Sequence, residues 1–77
     1  MTTKSLMADL ASILDGSVSV ADTVFVGQWG IFCTPTGYIQ ARNVFDKHER
    51  FTVGSCHDDA ESIAKNFRSG LANQDYL

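Results

Sequence analysis

Apolar residues recur at helical spacing near both ends of this 77-residue chain and at strand spacing between them, and that change of period admits few folds. Leu6, Leu10, Ile13 and Leu14 stand at i, i+4, i+7 and i+8, so one helix face carries all four, and Met7 widens the stripe. A helix over about Thr3 to Asp15 is predicted, with Thr2 or Thr3 capping its start and Gly16 closing it in a left-handed conformation. Ala60, Ile63, Ala64 and Phe67 repeat the pattern. They predict a second helix that starts near Ser55–Asp58, runs to about Ser69 and ends at Gly70, with Leu71 folding back. Asp58-Asp59-Ala60-Glu61 fits a capping box with Asp58 as the cap.

Between the helices the residues become β-branched and aromatic. Ser17 to Ala21 reads as a connection, and Thr23 to Cys33 as one bent strand or two, with Gly27 and Gly30 marking the bend. Thr34-Pro35-Thr36-Gly37 is a turn, because proline presets φ early and glycine accepts positive φ at the exit. From Tyr38 to Phe45 the chain alternates, with Ile39, Ala41 and Phe45 on one side and Tyr38, Gln40, Arg42 and Val44 on the other. Asp46-Lys47-His48-Glu49 reads as a polar turn and Arg50 to Gly54 as a third strand. The predicted fold is a single α+β domain over residues 1–77, of order α-β-β-β-α. A three-stranded antiparallel sheet has both helices packed on one face and the other face left bare.

The chain is too short for more than one domain, and no apolar run approaches the ~20 residues that span a membrane. Met1-Thr2-Thr3-Lys4 has none of the apolar length of a secretory signal, so a cytoplasmic setting is expected, with Cys33 and Cys56 as reduced thiols.

No catalytic or metal constellation emerges. Cys56-His57 at a helix start would suit a thiolate, but Asp58 and Asp59 in the same turn oppose one. Cys33, His48, Cys56 and His57 lack zinc-site spacing, and Gly27-Gln28-Trp29-Gly30 lacks the lysine and following helix of a phosphate loop. A non-enzymatic binding protein without cofactor or metal is the expectation.

Charge location points to the kind of partner. Nine acids and six bases give −3, and Asp46, Glu49, Asp58, Asp59 and Glu61 against Lys47 and Arg50 account for all of it. These five acids, with Tyr38 as a neighbouring anchor, are the candidate contact residues for a basic protein surface. The bare sheet face offers an alternative. Tyr38, Gln40, Arg42, Arg50 and Thr52, together with Trp29 or Phe32, are types that single-stranded nucleic acid or a second copy of the chain would use.

The order helix, three strands, helix is similar to that of double-stranded-RNA-binding domains. In that family lysines open the final helix, whereas His57-Asp58-Asp59-Ala60-Glu61 places carboxylates there, which repel phosphates. Duplex binding is therefore not expected. In size, layout and acidity the chain resembles the small anti-CRISPR proteins that phages make. The resemblance implies binding to a subunit of a bacterial CRISPR-Cas surveillance complex, as monomer or homodimer, and obstruction of its DNA recognition.

Overall fold

The computed structural model describes residues 3–19 and 21–73. Helix α1 spans Thr3–Leu14 and helix α2 spans Ala60–Asn73. Between them run β1 (Ser17–Val18), β2 (Val24–Val26), β3 (Trp29–Cys33), β4 (Tyr38–Asn43) and β5 (Asp46–Ser55). Each strand pairs antiparallel with the next, giving one five-stranded meander in the order β1-β2-β3-β4-β5. The α+β class and the flanking helices match expectation; the sheet has five strands where three were expected.

The two additional strands have local causes. Thr23–Cys33 is a hairpin, because Gly27 at φ 59° turns the chain within two residues and pairs Val26 with Trp29. Ser17 and Val18 pair with Phe25 and Val24, so the expected connection carries a short edge strand. Its return is tied by Ser19, whose Oγ accepts the N–H groups of Ala21 and Thr23. The Thr34–Gly37 turn forms as predicted. Gly37 sits at φ 90°, and its N–H donates to Thr34 O at 3.0 Å.

The β4–β5 turn lies earlier than expected. Asn43 is buried, its Oδ1 accepts the Phe45 N–H at 2.9 Å, and its Nδ2 donates to Glu49 Oε2 at 2.9 Å. That side-chain turn places Val44 and Phe45 at the tip, so Asp46 to Glu49 are strand rather than loop. Phe45 consequently does not join the core side of β4; it is 83% exposed.

One buried cluster unites the layers: Leu6, Met7, Leu10, Ala11 and Leu14 of α1, alternate inward residues of β2–β5, and Ala60, Ile63, Ala64 and Phe67 of α2. Ile13, expected on this stripe, lies at its margin and is partly exposed. Trp29 is the aromatic centre, edge-on to Phe51 at 5.5 Å and to Phe67 at 6.3 Å, while Phe51 and Phe67 stack at 6.2 Å.

The helix ends also depart from expectation. Asp15, at φ 57°, takes the left-handed position assigned to Gly16, and the Gly16 N–H returns to Ala11 O at 2.8 Å. The expected Thr2 cap lies outside the described residues. Helix α2 does not stop at Gly70 but continues to Asn73, carrying Gly70 against the Phe51 ring. No helix among the described residues is long and apolar enough to cross a membrane.

Candidate functional site

The structure divides the five candidate acids between the two ends of β5. Asp46 begins that strand and Asp58 follows its last residue, Ser55, by three positions. At about 3.3 Å per residue, roughly 30 Å of extended chain separates Asp46 from Ser55. Asp46 and Glu49 lie beside the Val44–Phe45 tip. Both serve the turn: Asp46 Oδ1 accepts the His48 N–H at 3.0 Å, and Glu49 accepts from Asn43.

At the other end Asp58, Asp59 and Glu61 stand together and exposed at the start of α2. Here the expected capping roles change hands. Asp59, not Asp58, caps the helix, accepting the Ser62 N–H at 2.7 Å. Asp58 accepts the Ser55 N–H at 2.9 Å and so ties the helix start to the end of β5. Glu61 takes no part in a capping box with Asp58.

A third element joins this end. Asp9, Ser12 and Ile13 of α1 face Asp59, Ala60 and Glu61 across an open cleft of about 470 Å³. In the sequence Asp9 simply stands off the apolar stripe of α1. Its meeting with α2 depends on how the helices pack, for which no local pattern exists. Tyr38 belongs to the same end, since it opposes Ser55 in the β4–β5 register and stands half out of the surface. The candidate site is therefore Asp9, Asp58, Asp59 and Glu61, with Tyr38 alongside, and without Asp46 and Glu49.

The carboxyl of Asp59 is held below its ordinary pKa, first by the Ser62 backbone N–H and then by the Ser62 side chain, against a small opposing effect of burial. Because the folded value is depressed, this stabilisation is complete above the unfolded value of about 3.9 and disappears as pH falls through the folded one. Asp59→Asn keeps a good cap without the charge. The variant is expected to melt with a weaker pH dependence than the parent below about pH 4. Parallel melting curves across that range check this, and identical slopes would remove Asp59 from the acid response.

The thiols lie close to this end. Cys33 and Cys56 are both free and half-buried. Burial, and secondarily the charge of Cys56, push the Cys33 thiol up, which keeps it protonated and a poor nucleophile. Cys56 is anchored by its backbone, its N–H donating to Gly37 O at 2.9 Å, and exposed His57 donates its own N–H to Ser55 Oγ at 3.3 Å. Among the described residues no three His, Cys, Asp or Glu side chains gather as a metal site.

The bare side of the sheet carries Tyr38, Gln40, Arg42, Arg50 and Thr52 as expected, and Phe32 with them. Trp29, an alternative occupant of that face, belongs to the core instead. Val44, expected on the same side as Arg42, borders this surface, and so does Phe25, which was not expected there. Compared with family models, curated proteins and solved structures, the chain matches none of them.

Proposed function

We propose that this chain is a non-enzymatic binding protein that docks its acidic end on a basic protein surface. The observation that carries this reading is the convergence of carboxylates from two separate helices, Asp9 with Asp59 and Glu61, on one open cleft beside Asp58. Four carboxylates at one end make a field that draws an arginine- and lysine-rich partner and speeds encounter. Tyr38 supplies an amphipathic anchor at the rim, a type favoured at interface centres. The resemblance to anti-CRISPR proteins makes the partner a DNA-binding subunit of a CRISPR-Cas surveillance complex. The acidic end would there occupy the groove meant for target DNA.

Asp9→Lys with Glu61→Lys tests this with little risk to the fold, because both side chains are exposed and neither caps a helix. The wild-type chain is expected to displace target DNA from a purified surveillance complex. The double reversal is expected to slow association by on the order of tenfold or more, a difference that shrinks with added salt. Undiminished displacement by the variant would refute the acidic docking surface. Failure of the wild-type chain to bind any surveillance complex would refute the CRISPR assignment.

A further inference from the structure

The side of the sheet turned away from the helices has a composition unlike the rest of the molecule. Two cross-strand rows can be read from the register. One runs Phe25, Gly30, Arg42, Arg50, and the next runs Phe32, Gln40, Thr52. None of these seven residues is acidic, so the two rows bear two positive charges on a chain whose net charge is −3.

Two features of the face are costly unless something binds there. Arg42 and Arg50 are direct cross-strand partners, and like charges so placed repel. Among the described residues neither guanidinium is neutralised by a carboxylate; Arg42 instead lies over the Phe32 ring at 5.5 Å. The aromatic surface is also left in water. The Phe25 ring lies against Gly30, passing 3.4 Å from where a Cβ would stand, yet Phe25 remains 41% exposed. Phe25, Phe32, Arg42 and Val44 wall a hollow of about 430 Å³ over Gly30. That volume falls within the roughly 300–1,000 Å³ of ligand-binding pockets.

We infer that this face binds a single-stranded polynucleotide, its bases stacking on Phe25 and on the Arg42 guanidinium that covers Phe32, and its phosphates meeting Arg42 and Arg50. Charge complementarity selects a polyanion, and the exposed Phe25 ring with the flat Arg42 guanidinium over Phe32 selects one with unpaired bases. A duplex hides its bases from such rings. An acidic peptide would satisfy the arginines but bring no π-face to the aromatics. A two-fold copy stacked face to face would set arginines toward arginines. The carboxylates lie across the sheet from this surface, and Tyr38, which shares its side of β4, is in neither set of substitutions, so the two assignments are tested separately.

Fluorescence anisotropy with labelled oligo-dT and oligo-rU of about 12 nucleotides, and a blunt duplex of the same length, tests the inference. Either single strand is expected to bind in preference to the duplex, and comparison of the two shows which sugar is favoured. With two phosphates neutralised, log K should fall against log salt with a slope of about −1.4. Arg42→Gln with Arg50→Gln is expected to bring that slope toward zero. The same variant relieves a repulsion and gives up the Arg42–Phe32 contact, so it should melt close to the parent, and a parallel melting curve separates lost binding from lost folding. Phe25→Ala is expected to weaken binding on the order of tenfold. Asp9→Lys with Glu61→Lys should leave single-strand binding intact. No anisotropy change at about 0.1 mM protein and low salt, a preference for duplex, or binding indifferent to the arginine substitutions would each overturn the inference.

Discussion

Trp29→Ala is expected to remove about 3–5 kcal/mol of folding stability. A chain of 77 residues has only roughly 4–11 kcal/mol to lose, at about 0.05–0.15 kcal/mol per residue. The variant therefore stands near the limit of folding. Trp29 is 4% exposed and meets Phe51 and Phe67 edge-on, at 5.5 and 6.3 Å. Such pairs contribute about 0.5–1.5 kcal/mol each beyond the area they bury. Truncation would also open a cavity among neighbours fixed by both the sheet and α2, where collapse is restricted. A domain of this size buries only about 60% of its unfolded surface, so no second layer of core can compensate. Urea unfolding followed by far-UV circular dichroism measures the loss, since the substitution removes the only tryptophan. Trp29→Phe, which keeps a ring against both partners, is expected to lose less than half as much. A loss below about 1 kcal/mol for the alanine variant would show that the core is not organised around this side chain.

What could be read in advance, and what could not, follows from the range of each signal. The helices were legible because Leu6, Leu10 and Leu14, and Ala60, Ile63, Ala64 and Phe67, repeat a spacing that burial alone enforces. The Thr34–Gly37 turn was legible because proline and glycine restrict φ locally. Strand β1 was not, since both its residues are exposed and show no alternation. The β4–β5 turn was not legible, because polarity does not mark the loop there. Val44 and Phe45 are apolar yet form the tip, while Asp46 to Glu49 are polar yet form part of β5. As an edge strand, β5 tolerates those charges, and they discourage a further strand from adding there.

The candidate site was legible in part for a related reason. Counting charge along the sequence treats residues 46–61 as one place, whereas an extended strand carries its ends far apart. Asp58, Asp59 and Glu61 stay together because a helix start is compact. Asp9 joins them only through the packing of α1 against α2. Phe25 reaches the bare face for a reason equally invisible locally: the Gly27 turn reverses the chain and lays β2 beside Gly30.

Gly70→Ala sets helix propensity against packing, and packing is expected to win. In an exposed helix interior the exchange would stabilise by about 1 kcal/mol. Here a Cβ would enter the Phe51 ring, with Cδ2 and Cζ each 2.8 Å away. The ring has little freedom to retreat. It stacks on Phe67 at 6.2 Å with an interplanar angle of 11° and meets Trp29 at 5.5 Å, so moving it disturbs the aromatic centre of the core. Overpacking of this kind costs about 1–3 kcal/mol and sometimes more. At about 4–8 °C per kcal/mol for a domain of this size, the midpoint of thermal unfolding should fall by roughly 5–20 °C. Gly70→Val, with a larger and stiffer side chain, should fall further. Ser69→Ala, one residue away and exposed, is expected to stay within about 0.5 kcal/mol of the parent. If Gly70→Ala instead matched or exceeded the parent's melting point, the close approach of α2 to Phe51 would be excluded. Gly70 would then be the helix terminus that its residue type alone suggests.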